Sequence, residues 1–139
     1  MGKKRFVYRY PIPETELDPK GNWHSPYFYF AFIRARIALF ESFGVTAERL
    51  EQEGLHLRGA HVSYDHFLPL GRGDTALILI TPTRLGRSSM TFSYEVYEEN
   101  DLAKSLHASG DTIQILVNNA ARRSAELPSW IRLPLEAYL

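Results

Sequence analysis

Glu16–Arg36, ELDPKGNWHSPYFYFAFIRAR, decides how the rest of the chain is read. Asp18 lies in an Asp-Pro-Lys-Gly segment, a composition that makes tight turns. Seven residues later Ser25-Pro26 has the form of a helix start. Ser25 is the expected N-cap, and Pro26 fits the first helical position, where a missing N–H costs nothing. Aromatic and aliphatic residues follow and Gly44 is a natural stop, so the spacing predicts a long helix over Pro26–Phe43. Phe28, Phe32, Ala35, Leu39 and Phe43 recur at three- to four-residue intervals, with Tyr29, Ile33, Arg36 and Phe40 beside them. So wide an apolar arc belongs to a helix enclosed on most sides. A carboxylate near the free N–H groups of such a helix start can attack a carbonyl or activate water against it, while those N–H groups hold the oxyanion.

Outward from this helix the period changes. Arg5–Tyr10 alternates as a short strand that Pro11 and Pro13 end, and Thr46–Glu53 is a short second helix closed by Gly54. Four alternating segments come next: Leu55–Leu68, Thr75–Leu85, Ser88–Glu98 and Lys104–Val117. Turn residues separate them, namely Pro69 with Gly71 and Gly73, then Gly86, then Glu99-Asn100-Asp101. Short turns between consecutive strands predict an antiparallel meander. The tail holds Pro128 and Pro134 and one helical turn around Trp130. The fold class is therefore α+β: one long helix wrapped by a curled antiparallel sheet of about five strands. Such a sheet leaves an edge strand, and pairing with a second copy is a common protection, so a dimer is the expected minimum assembly.

The chain has 139 residues, and 1–139 is expected to form a single domain. Sixteen Lys and Arg balance sixteen Asp and Glu, so charge gives no case for a nucleic-acid partner. The lysines are Lys3, Lys4, Lys20 and Lys104; the other cations are arginines, the better partners for phosphate and carboxylate. The absence of cysteine removes disulfides, thiolate metal sites and a thiol nucleophile. No apolar window reaches membrane-span length and the N-terminus runs directly into a strand pattern, so a cytoplasmic protein with no membrane partner is expected.

Four stretches occur in an order that resembles the hotdog-fold acyl-CoA thioesterases, in the 4-hydroxybenzoyl-CoA thioesterase-like branch. They are Asp18-Pro19-Lys20-Gly21 with the helix ending in Ala35-Arg36; Ala60-His61-Val62-Ser63-Tyr64 with Pro69 and Gly73-Asp74; Arg84-Leu85-Gly86-Arg87-Ser88-Ser89; and Ala108-Ser109-Gly110. The resemblance covers about Arg5 to Leu135. It implies that Asp18 is the catalytic carboxylate, as nucleophile or general base, and that backbone N–H near Ser25 polarises the thioester carbonyl. It also implies an acyl tunnel along the helix and a neighbouring subunit, with CoA phosphates on surface Arg or Lys. Coenzyme A enters as part of the substrate, with no separate cofactor and no metal. Two departures stand out. His24-Ser25 occupies the place where many members have Asn-Asn or Tyr-His, and Ile33-Arg34 the place where many have acidic residues. Glu41 alone supplies a carboxylate on the helix, near its far end, which fits poorly with a helix-borne catalytic Glu.

The candidate residues follow. Asp18 leads for catalysis, with Glu16 as second carboxylate and His24 able to orient water or a substrate hydroxyl. Ser25 is expected to act as an N-cap whose backbone matters more than its hydroxyl. Tyr27, Phe28 and Tyr64 are candidates to line the acyl pocket. Arg84, Arg87, Ser88 and Ser89 flank a tight turn able to hold a phosphate or the pantetheine arm. Arg58, Arg72, Arg122 and Arg123 are further contributors that sequence alone does not rank. His61 and Asp65 share a strand face without a further ligand motif, so no metal site is expected. His56, His66 and His107 read as surface or packing residues. The expected reaction is hydrolysis of an acyl-CoA by a dimer or dimer of dimers. The alternatives are an acyl carrier protein substrate and a non-catalytic acyl or CoA binder.

Overall fold

The computed structural model describes residues 4–139. The elements in chain order are β1 (Phe6–Pro11), α1 (Pro26–Glu41), α2 (Ala47–Gln52), β2 (Leu55–His66), β3 (Thr75–Leu85), β4 (Ser89–Glu98), β5 (Ala108–Asn118), β6 (Arg123–Ser124) and α3 (Ser129–Glu136). A single 3-10 turn covers Glu14–Glu16. Gly44 takes φ +83°, a left-handed value that a glycine adopts without penalty, and it turns the chain out of α1. Thr46 caps α2, its side chain accepting the Arg49 N–H at 3.0 Å. The tail helix α3 is longer than the single turn expected, because Ile131 and Leu135 are buried one turn apart.

The sheet order is β1-β3-β4-β5-β2, with β6 also on β5 and every pairing antiparallel. The expected meander holds only for β3, β4 and β5. β2 does not pair with β3. It lies on the far side of β5, from Leu55 opposite Asn118 to His66 opposite Ala108. The chain then crosses the open end of the sheet through residues 67–74 to begin β3 beside β1. Phe67 and Leu68 donate to the His107 carbonyl at 2.9 and 3.1 Å on the way.

The fourth predicted strand is also shorter at its start. The Asp101 carboxylate accepts the Ala103 and Ser105 N–H groups at 3.0 and 3.1 Å, and Lys104 has φ 52°. These bonds curl residues 101–105 into a turn, so β5 begins only where Ala108 faces Val96.

Strands β1 to β5 wrap α1, which is the hotdog arrangement that the resemblance implies. Phe32, fully buried, stacks on Tyr94 with ring centroids 4.4 Å apart, and Phe40 meets Phe92 edge-on. Gly110 makes the first contact possible, since a Cβ there would press on the Phe32 ring and lie 2.8 Å from the Ser63 carbonyl oxygen. The edges differ. β1 is short and ends in a proline, whereas β2 has twelve residues, with 58–63 exposed and a bulge between Gly59 and His61. Among the described residues no helix is long and apolar enough to cross a membrane.

Candidate active site

The site begins with a buried anchor. Glu16 is 8% exposed. Its Oε2 accepts the Tyr10 hydroxyl at 2.5 Å, its Oε1 accepts Trp23 Nε1 at 3.0 Å, and Arg34 Nη1 lies 3.6 Å away. Arg34 also donates to the Tyr10 hydroxyl. Burial, then the Glu16 contact, pushes the Tyr10 phenol up to about 12, so it stays a donor at neutral pH. Arg34 thus serves as a clamp between α1 and β1. Glu16, the second candidate carboxylate, has both oxygens engaged in this cluster.

Two residues later the geometry reverses. Asp18 is half-buried, and its Oδ1 accepts the Lys20 and Asn22 N–H groups, both at 2.9 Å. Its own N–H donates to the Asn22 carbonyl at 2.7 Å, and Gly21 supplies φ +80° to close the turn. Among the described residues nothing donates to Oδ2. The turn is pinned to the crossover by Arg72 N–H to Gly21 O at 3.1 Å and by Trp23 N–H to Leu70 O at 2.6 Å. Gly71 allows this approach, because any Cβ there would collide with the Gly21 carbonyl oxygen.

Ser25 departs from its expected capping role. It has helical dihedrals (φ −46°, ψ −44°) and its side chain caps nothing. The first turn is closed instead by Tyr27 N–H to His24 O at 2.9 Å and Phe28 N–H to Ser25 O at 3.1 Å. The Ser25 N–H has no acceptor among the described residues, which leaves it able to donate to a ligand oxygen at the positive end of α1. The Ser25 hydroxyl sits 3.5 Å from His66 Nε2.

His66, read from sequence as a surface or packing residue, is therefore brought to the helix start. Its ring meets Phe28 at 4.3 Å and Tyr64 at 5.3 Å, both edge-on. Burial holds its pKa below the ordinary histidine value, with Asp65 opposing. His66, Phe28, Asn22, Trp23 and Leu68 line a cleft of about 280 Å³. Only the position of His66, at the end of the strand before the crossover, hinted at this role.

The other candidates divide. His24 is exposed and its ring stands 6.2 Å from that of the half-buried Tyr27, and neither lines the cleft. Phe28 is core, 4.3 Å from the Trp23 ring, with an edge in the cleft. Tyr64 packs between Phe32 and His66. Arg84, Arg87, Ser88 and Ser89 form the β3–β4 hairpin, at the opposite end of β3 from the Asp18 turn, about 33 Å along the strand. One chain does not bring them to Asp18. Arg72 is paired with Glu14 at 2.8 Å, while Arg58, Arg122 and Arg123 share one cleft elsewhere. No group of three or more His, Asp or Glu among the described residues is placed to hold a metal ion.

The chain matches a family model described as the thioesterase-like superfamily over residues 13–135. A 1,4-dihydroxy-2-naphthoyl-CoA hydrolase of Crocosphaera subtropica is 33% identical over 76 residues, covering 52% of this chain and 55% of that protein. The match thus spans about half the length of this curated relative. Among solved structures, a hypothetical protein from Staphylococcus aureus in complex with CoA superposes with TM-score 0.91 at 15% identity, over 99% of this chain and 85% of that one. A 1,4-dihydroxy-2-naphthoyl-CoA thioesterase from Synechocystis superposes with TM-score 0.87 at 21% identity, over 95% and 96% of the two chains. At these identities the likeness is one of fold.

Proposed function

Since the chain belongs to the thioesterase-like superfamily, we propose that it hydrolyses an acyl-CoA to the free acid and CoA at the Asp18 turn. The observation that carries this reading is the asymmetry of the Asp18 carboxylate. Oδ1 is held by two N–H groups while Oδ2 is free among the described residues, and seven residues later the helix start leaves the Ser25 N–H uncommitted. Oδ2 takes a proton from water as the water oxygen attacks the thioester carbonyl, or attacks that carbonyl itself to form a mixed anhydride that water then hydrolyses to the free acid and the restored carboxylate. The Ser25 N–H faces the charge that develops on the carbonyl oxygen, where a fixed donor accelerates the step most. Collapse breaks the C–S bond, and the departing thiolate takes the proton that Asp18 accepted from water or, in the nucleophilic route, one from solvent. His24, the exposed residue before Ser25, orients the incoming thioester. The chemistry requires no metal or redox cofactor.

An aromatic acyl group is the first substrate class to try, because the 33% identical relative is named for one. In support, the cleft is walled by Phe28, Trp23 and the His66 ring, with Tyr64 adjoining. The assembly proposed is a dimer through β2, with a dimer of dimers above it. In support, β2 is the long exposed edge, and a cavity of about 260 Å³ between Tyr29 and residues 59–62 remains open beside it.

The test is thiol release by the purified protein on 1,4-dihydroxy-2-naphthoyl-CoA, other aromatic acyl-CoAs and short to long aliphatic ones, with Asp18→Asn alongside. Turnover by wild type that the variant loses supports the reading. No turnover on any CoA thioester would turn attention to acyl carrier proteins or to simple binding.

A further inference from the structure

Arg34 and Arg36 lie two residues apart on α1, about 200° around the helix, so they leave it on opposite flanks. Arg34 turns toward β1, where it bonds the Tyr10 hydroxyl and has Glu16 3.6 Å away. Arg36 follows Phe32 by four residues and Tyr29 by seven, which places the three on one face. Phe32 meets Tyr64 of β2 edge-on, and Tyr29 lines the cavity of about 260 Å³ beside residues 59–62. Arg36 therefore faces the β2 side, and there it has no acidic partner. Among the described residues it forms no ion pair and no side-chain hydrogen bond. It is half-buried, and burial holds its pKa below the ordinary arginine value, opposed by the Tyr94 and Tyr29 phenols alone. A guanidinium stays charged even so. A desolvated cation without an anion is unfavourable, and the chain itself supplies none here.

The surroundings are polar without being acidic. One turn before Arg36 the Phe32 ring packs on Gly110, and the next inward residues of β5 are the buried Thr112 and Gln114. Thr112 bonds the Tyr94 hydroxyl at 2.9 Å, and burial pushes that phenol up to about 12, so it stays neutral. Gly59 stands opposite Gln114 on β2, and a Cβ on it would meet nothing within 4 Å. The bulge between Gly59 and His61 falls at the same level. From Ser25 to Arg36 is about 16 Å of helix axis. A long side chain on a helix leans back toward its N-terminus, which shortens that distance at the guanidinium. What remains is the span of a two-ring aromatic acid or a medium-length diacid.

We propose that Arg36, with Tyr29 beside it, selects acyl groups that carry a carboxylate at the end far from the thioester. This rests on the thioesterase reading above and names its substrate class. The thioester carbonyl is held at the Ser25 N–H, and the acyl skeleton runs along the β2 flank of α1 past Tyr64. The distal carboxylate meets the Arg36 guanidinium in a charge-assisted pair. An uncharged end of the same shape leaves Arg36 unpaired behind it, and that difference is the discrimination.

The experiment measures kcat/KM on pairs of acyl-CoAs that share a skeleton, one with a free distal carboxylate and one with its methyl ester. The pairs are 6-carboxy-2-naphthoyl-CoA and suberoyl-CoA, each against its ester, with calorimetric titration of the two free diacids alongside. The proteins are wild type, Arg36→Gln, Arg36→Lys, Ile33→Glu, and Arg9→Gln as a charge control paired with Glu99 on β1. Thermal unfolding shows which variants are folded. Wild type and Arg9→Gln should prefer the acid of at least one pair about tenfold or more. Arg36→Gln should lose that preference through a fall on the acid alone, and Arg36→Lys should regain part of it. Ile33→Glu keeps the guanidinium but pairs it within the helix, so it should lose the preference too, even if Arg36→Gln fails to fold. Equal use of acid and ester by wild type, or an equal fall on both in Arg36→Gln, overturns the proposal. Turnover of other acyl-CoAs without that preference overturns it and leaves the thioesterase reading standing. Diacid binding that Arg36→Gln loses, in a protein that turns over no thioester, supports the site and removes the thioesterase reading.

Discussion

Glu16 and Asp18 are two residues apart and carry the same functional group, yet the fold treats them oppositely. Glu16 is enclosed, with both oxygens bonded and an arginine in attendance. Asp18 stands half-exposed, with one oxygen bonded to its own turn and the other open. A buried carboxylate with both oxygens engaged contributes to stability and presents no open oxygen to a substrate. A carboxylate held by one oxygen is oriented and still able to react. The bridge between Leu17 and Trp23 lies between the two, so the anchor fixes the position of the second carboxylate.

The largest expected effect tests the reactive member. Asp18→Asn keeps an acceptor oxygen for the Lys20 and Asn22 N–H groups, so the turn survives. Thiol release should fall at least about 10²-fold, with the urea unfolding midpoint unchanged. Wild-type rates in the folded variant would take Asp18 out of the mechanism. The anchor should respond the other way. Glu16→Ala strands the Tyr10 hydroxyl, Trp23 Nε1 and Arg34 together, at a cost of about 2–4 kcal/mol in urea unfolding. Glu16→Gln should lose less stability and keep most turnover per folded molecule. A stable but inactive Glu16→Gln protein would break the comparison and make Glu16 the working carboxylate.

Why one carboxylate is an anchor was not visible in the sequence. Tyr10, Trp23 and Arg34 lie on three separate segments, and only the packing of α1 against β1 brings them to Glu16. The helix itself was legible, because its apolar spacing and Gly44 act locally. So were β3 and β4, joined by the short turn 86–88, and the body of β5, although the curl on the Asp101 carboxylate delays its start to Ala108. The place of β2 was not, since residues 67–74 are a crossover that the period of a strand does not encode. The same pairing of β2 with β5 gathers Arg58 with Arg122 and Arg123, and it brings His66 to the start of α1. The site residues that could be read were those of one continuous stretch; those missed depend on a sheet order set by tertiary packing.

His66 offers a smaller, pH-dependent test. Burial lowers its folded pKa below the unfolded value of about 6.5. The unfolded chain then binds the proton first, so its contribution is present above about pH 6.5 and is lost as pH falls through the folded value. Urea midpoints of wild type should decline on that acid side, and His66→Gln should flatten this part of the profile. An unchanged slope in the variant would assign the decline to other groups.

The smallest effect expected is at Ser25, and it separates side chain from backbone. An N-cap serine replaced by alanine costs about 1 kcal/mol. Here the hydroxyl caps nothing and stands only 3.5 Å from His66 Nε2. Ser25→Ala should therefore stay within about 0.5 kcal/mol of wild type in urea unfolding. It keeps the Ser25 N–H that the mechanism assigns to the oxyanion, so kcat should change by no more than a few-fold. A loss as deep as that of Asp18→Asn would move the catalytic role from the amide to the hydroxyl. The Ser25–His66 contact, rather than the free oxygen of Asp18, would then be the reactive counterpart of the Glu16 anchor.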